Sequence, residues 1–146
     1  MTYKYAFQTF SSETMARAHE TNLQISMKKS VELAKALQGK KVSSAVIYLQ
    51  KVIEKEAVVP YVRYNTEMPH RRGKGIMSGG YPVNVAKAFL KILLNAQKNA
   101  ADLEISGELY VLSASSRQGS ARYHSGRYAG RKMKSTNVEI IVGVRK

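Results

Sequence analysis

Apolar side chains recur at helical spacing in three stretches of the chain, and three further stretches alternate or run apolar as strands do. Val31, Ala34 and Leu37, with Leu33 beside them, form the first helical stripe; Ser26 is placed to cap it and Gly39 to close it, where a left-handed residue is needed. Val46, Leu49 and Ile53 form the second, behind Ser43 or Ser44 as cap, with Lys51, Glu54 and Lys55 on the wet side. That helix stops before Pro60. The third and longest starts at Pro82 and runs to about residue 100, turning Ala86, Phe89, Leu90, Leu93 and Ala96 inward and Lys87, Lys91 and Lys98 outward. Residues 15–25, MARAHETNLQI, alternate in part and finish on Leu23 and Ile25, as a half-buried strand does. ELYVLSA at 108–114 and NVEIIVGV at 137–144 are the other two strands.

Two segments fit neither pattern. Residues 60–81, PYVRYNTEMPHRRGKGIMSGGY, hold four glycines and the cluster Arg71, Arg72 and Lys74, which predicts a long loop or irregular ribbon. Residues 117–135, RQGSARYHSGRYAGRKMKS, contain six arginines and lysines and no acid, leucine, isoleucine or valine. If the flanking strands pair as a hairpin, the residues between them make two arms of roughly ten residues, reaching on the order of 30 Å at about 3.3 Å per residue. Such a ribbon has too little apolar surface to offset its ordering entropy, so it is expected to be mobile until it meets a partner.

Charge says which partner. The 146 residues carry 24 basic and 10 acidic side chains, a formal net charge of +14. Divided after Pro69, the first part holds ten basic and six acidic residues (+4), and the second fourteen and four (+10). Two acid-free windows, between Glu67 and Asp102 and between Glu108 and Glu139, mark the expected contact surfaces for a polyanion. Arg117, Arg122, Arg127, Arg131, Lys132 and Lys134 supply phosphate-binding groups in the second window, and Tyr123, Tyr128 and His124 supply flat rings that stack on unpaired bases. Lys28 and Lys29 fall in the first turn of the first helix, where free N–H groups already make the end positive. Either a phosphate offsets that repulsion, or the two lysines reach away into solvent.

Enzyme chemistry has little to work with. The chain has no cysteine, hence no disulfide, thiolate metal site or cysteine nucleophile, which fits a reducing compartment. His19, His70 and His124 lack metal-site spacing, and the glycines at 73, 75, 79 and 80 fit neither a P-loop nor a dinucleotide fingerprint. The N-terminal MTYKYAFQTF lacks the apolar run of a signal peptide, and no stretch reaches the roughly 18 apolar residues of a membrane span. No cofactor, metal, membrane or small-molecule substrate is expected. No helix offers the Arg, Asn or Gln face of a DNA reader, and no strand the aromatic run of an RNA-recognition sheet, which leaves a large folded RNA.

The stretch NLQISMKKSVELAKALQGKKVSSAVIYL, 22–49, resembles the N-terminal signature of the large-subunit ribosomal protein family numbered twenty-two: a serine, nearby lysines, and a glycine-lysine before the second helix. GRYAGRKMKSTNVEIIV, 126–142, resembles the same family's hairpin arm, and the order of elements agrees from about residue 14 to 145. Met27 stands where many relatives have proline, and the insertion at 60–81 resembles the archaeal and eukaryotic form rather than the bacterial one.

The resemblance implies an α+β fold: one small domain, 1–146, of three helices against a three-stranded antiparallel sheet with a long extended β-hairpin arm. The core would span about 14–112 and 137–146, the insertion loop about 60–81 and the arm about 113–136. It further implies a non-catalytic constituent of the large ribosomal subunit in the cytoplasm, bound to large-subunit ribosomal RNA and to neighbouring ribosomal proteins. Lys28, Lys29, Lys40 and Lys41 would contact RNA at the core, and Arg71, Arg72 and Lys74 would add a contact peculiar to the archaeal and eukaryotic branch. The arm's tip, His124, Ser125, Gly126, Arg127, Tyr128, Ala129 and Gly130, would line the exit tunnel near the nascent polypeptide. The competing readings are an RNA-processing or RNA-modifying enzyme and a free RNA-binding regulator.

Overall fold

The computed structural model describes residues 3–145. Strand β1 (Met15–Leu23) leads into helices α1 (Met27–Leu37) and α2 (Val42–Ile53), a two-residue ribbon β2 (Val59–Pro60) with β3 (Gly79–Gly80), and helix α3 (Val83–Asp102). Strand β4 (Leu109–Gln118), the short pair β5 (Arg122–Tyr123) and β6 (Lys132–Met133), and β7 (Thr136–Val144) follow, with a 3₁₀ turn at Gly126–Tyr128. β7 lies between β1 and β4 and is antiparallel to both, so three helices stand against a three-stranded antiparallel sheet in an α+β domain.

All three helices lie on one face: α1 covers β4, α3 crosses β1 and β7, and α2 packs on α3. Alternation along the strands sends Ala16, Ala18, Val111, Val138, Ile140 and Val142 into the layer between sheet and helices, where they meet Leu33, Leu37, Leu49, Phe89 and Leu93. Phe89 and Leu93 are fully buried, so the phase predicted for α3 holds, although Leu90 is only half-buried and Ile92 takes the inward position instead. α1 also keeps its predicted Leu33, Ala34 and Leu37 inside, with Val31 half-buried.

Helix starts differ from expectation. Ser26 precedes α1 but makes no side-chain cap; its carbonyl instead accepts from the Ser30 N–H and hydroxyl, both at 2.9 Å. α2 begins at Val42 rather than behind Ser43 or Ser44; it buries Leu49 as expected, but Val42, Ala45 and Val52 take the inward positions while Val46 and Ile53 are half-buried. The cause is tertiary: Lys41 bridges to Tyr110 of β4, and the Gly39 N–H donates to the Val111 carbonyl, which fixes the turn between α1 and α2 against the sheet edge. Gly39 has φ 78°, the left-handed residue the helix end required.

The insertion is an irregular ribbon, closed at its base by the β2–β3 pair and held midway by a bridge between His70 and Ser78. Tyr61, at its start, is 5% exposed. Burial first, then the Glu32 carboxylate and Tyr48, push its phenol up to about 12 from the ordinary 10.0. The folded state therefore holds Tyr61 neutral where the unfolded chain ionises it, so this stabilisation is complete below pH 10 and is lost as the pH rises from there to about 12. Burial also raises Tyr3, Tyr5 and Tyr48, so tyrosinate absorbance followed with circular dichroism should show a late group of phenols that includes Tyr61 and ionises together with loss of structure; ionisation of every tyrosine on a folded chain would contradict it.

Candidate nucleic-acid interface

The hairpin between β4 and β7 carries the densest positive charge. Its two sides remain in register beyond the Gln118–Thr136 pair: Gly119 N–H donates to the Ser135 carbonyl at 3.0 Å, β5 pairs with β6, and His124 N–H donates to the Arg131 carbonyl at 3.0 Å. A turn closed by Ala129 N–H to the Gly126 carbonyl ends it, with Gly126 at φ 66°. Every residue from 121 to 132 is exposed. Arg122, Arg127, Arg131, Lys132 and Lys134 all face solvent, Lys132 Nζ lies 5.9 Å from the Tyr123 ring, and the Arg131 guanidinium lies 5.6 Å from the Tyr128 ring. Each ring thus has a cation beside it and is more than half exposed, as a ring that stacks on a base must be.

Arg117 is different from the other arm cations. Its guanidinium reaches Glu139 at 3.6 Å, and that carboxylate, 3% exposed, also accepts from the Ser115 hydroxyl at 2.6 Å and the Ala6 N–H at 3.0 Å. The window that is acid-free along the chain is therefore not acid-free in space, because β7 lays a carboxylate beside β4.

At the foot of the hairpin, Lys134 joins the cations of the core. A cleft of about 270 Å³ lies between the starts of α1 and α3, lined by Ser26, Lys29, Tyr81, Asn84 and Lys134. A neighbouring cleft of about 280 Å³ adds Lys28, Gln118 and Ser135, and a third, of about 390 Å³, continues along His124, Arg131 and Lys132. Lys134 lines all three, so one basic concavity runs from the uncapped start of α1 along the returning strand of the hairpin. Uncapped N–H groups and two converging lysines suit a phosphate.

The insertion reaches the same region. Lys28 Nζ lies 5.9 Å from the Tyr64 ring, and the Arg71 guanidinium lies 5.4 Å from the ring of Tyr81, a residue of the first cleft. Arg72 and Lys74 stand exposed beyond it. Lys40 and Lys41 are not brought into this group. They sit beside the start of β4, some nine residues and about 30 Å along the strand from its Gln118 end. There Lys40 lies over the Tyr48 ring at 4.6 Å and Lys41 pairs with Glu108 at 2.7 Å. The hydrogen bond between Lys41 and Glu108, then their mutual attraction, raises the lysine; the carboxyl is lowered by hydrogen bonds from Lys41 and Tyr110.

Several residues of the interface had no signal in the chain. Tyr64 and Tyr81 join it because the insertion folds back on α1 and α3, and Gln24 and Asn84 because the starts of those two helices face one cleft. Among the described residues no group of histidines and acids could hold a metal ion.

Residues 18–143 match the family of ribosomal protein L22p/L17e. The large ribosomal subunit protein uL22 of Nanoarchaeum equitans is 38% identical over 146 residues, covering 93% of this chain and 82% of the relative. The proteins of the same name from Methanosphaera stadtmanae (40% identical; 71% of this chain, 68% of the relative) and Methanococcus maripaludis strain C5 (39%; 80% and 76%) are also archaeal. The chain belongs to the L22p/L17e family of ribosomal proteins, in its archaeal form, and is a structural component rather than an enzyme.

Proposed function

We propose that this chain is a structural constituent of the large ribosomal subunit, working in the cytoplasm, that binds large-subunit ribosomal RNA and helps the subunit assemble. The core, about 14–112 with 137–146, positions the arm at about 113–136. The arm's tip, from His124 to Gly130, lines the exit tunnel beside the nascent polypeptide. The observation that carries this reading is the convergence of Lys28, Lys29, Lys134, Arg131 and Lys132, from two distant parts of the chain, on one concavity open to solvent. Crowded phosphates in folded RNA repel one another, and a continuous line of cations relieves that repulsion where water and mobile ions are excluded. Arg71, Arg72 and Lys74 extend the line as an RNA contact of the insertion. Lys40 and Lys41 make a separate contact at the other end of β4, and neighbouring ribosomal proteins adjoin the surface that RNA leaves uncovered.

Sedimentation of a lysate in low and high salt tests this. The chain should co-migrate with the large subunit and stay there at moderately high salt, and chemical probing of that subunit should show RNA protected by the arm. A chain that remains at the top of the gradient at every salt concentration would overturn the assignment.

A further inference from the structure

The root of the hairpin holds a polar junction that the exposed arm cannot replace by packing. β1 loses its regular register with β7 between Glu20 and Leu23, and there Asn22 adopts a left-handed conformation, φ 56°. Asparagine tolerates that conformation better than most residues. The turn aims its carboxamide oxygen at both strands of the hairpin. It accepts from the Ser120 N–H at 3.1 Å on the outgoing side and from the Ser135 hydroxyl at 3.0 Å on the returning side. The Asn22 N–H in turn donates to Asn137 Oδ1 at 2.8 Å.

Two neighbours close the junction. Gly119 has no room for a side chain: a Cβ there would overlap the Ser135 hydroxyl and come within 2.9 Å of the carboxamide oxygens of Asn22 and Asn137. Thr136, fully buried, donates its hydroxyl to the Ile25 carbonyl at 2.8 Å. Residues 22–25 therefore tie down both strands of the arm where it leaves the sheet.

We infer that Asn22 is a positioning residue that sets the direction in which the arm leaves the core. A two-stranded ribbon with nearly all its side chains in water, Met133 alone being half-buried among its strand residues, has little packing to fix its angle. One acceptor bonded to both strands does so without burying anything. The inference rests on the reading of the arm as an RNA-binding element, because a fixed direction lowers the ordering cost at the moment of binding.

The absence of cysteine allows spin labels at two exposed positions of the full chain, Lys87→Cys on α3 and Ala121→Cys just beyond the junction. In this background Asn22→Gly, which keeps the left-handed backbone accessible and removes the acceptor, should broaden the distance distribution about twofold. Asn22→Asp, which keeps an acceptor oxygen, should restore it. Gly119→Ala attacks the same bonds from the other side and should broaden it as well, which keeps the test open if the first variant folds poorly. Affinity for transcribed large-subunit ribosomal RNA should fall about tenfold in unlabelled Asn22→Gly. A parental distance distribution in both Asn22→Gly and Gly119→Ala would overturn the inference. So would a broadened arm that binds the RNA with parental affinity, since Asn22 would then position nothing that matters. If the parent itself fails to bind this RNA, the reading of function falls, while the distance distributions still decide the junction.

Discussion

Replacing Arg122, Arg127, Arg131, Lys132 and Lys134 together by serine should weaken binding to large-subunit ribosomal RNA by about three orders of magnitude near 0.1 M salt. Each phosphate neutralised contributes roughly 0.7 to 0.9 to the slope of log affinity against log salt, so removing five cations should flatten that slope by about 4. The fold should be indifferent, since all five side chains are exposed and none enters the core. Removing them also relieves like-charge repulsion in the free chain. Affinity measured at several salt concentrations, beside the melting temperature, separates the two effects. A slope unchanged by the five substitutions would mean that the arm does not carry the phosphate contacts.

Arg117 should behave unlike those five. Its guanidinium already faces Glu139, so Arg117→Ser removes an internal partner from a buried carboxylate as well as a cation from the surface. A small change in salt slope together with a measurable loss of stability is its expected signature.

What the chain disclosed and what it hid follow one physical division. Stripes at helical spacing disclose burial, so Phe89, Leu93 and Ala96 were legible as the inner face of α3 before any contact was known. The apolar run NVEIIVGV disclosed β7 as a strand, but not which of its residues face the helices, since both of its faces are covered. Acid-free windows disclosed the arm's charge. Helix starts were less legible, because Ser43 and Ser44 look like caps while the turn that decides where α2 begins is made by β4, far along the chain. The polar residues that join distant segments, Asn22 and Glu32, gave no signal, because their partners come to them only in the fold. Asn22 and its Ser120 and Ser135 partners stand 98 and 113 positions apart, and no spacing rule acts at that range.

Glu32 is the second residue whose loss should be felt strongly. It lies in the apolar stretch of α1, is 1% exposed, and has no ion-pair partner among the described residues. Its charge is held instead by the backbone of the insertion: Oε1 accepts from the N–H groups of Arg63 at 2.8 Å and Tyr64 at 2.7 Å, and Oε2 from that of Val62 at 3.0 Å. Three convergent donors to one carboxylate make a charge-assisted anchor, each bond stronger than its neutral counterpart. Glu32→Gln should destabilise the chain by about 2 to 4 kcal/mol, although glutamine has nearly the same shape. Its amide oxygen can take the Arg63 and Tyr64 donors, but its NH₂ then confronts the Val62 N–H, donor against donor. Urea unfolding measures the loss, and amide exchange at residues 62–64 localises it, with those three protons exchanging faster in the variant. The consequence should extend to the interface, because the same anchor holds Tyr64 under Lys28 and starts the ribbon that brings Arg71 over Tyr81. Glu32→Gln should therefore lower RNA affinity severalfold without removing a single cation. Parental unfolding midpoints and parental exchange at 62–64 would show that the insertion is held by something other than this carboxylate.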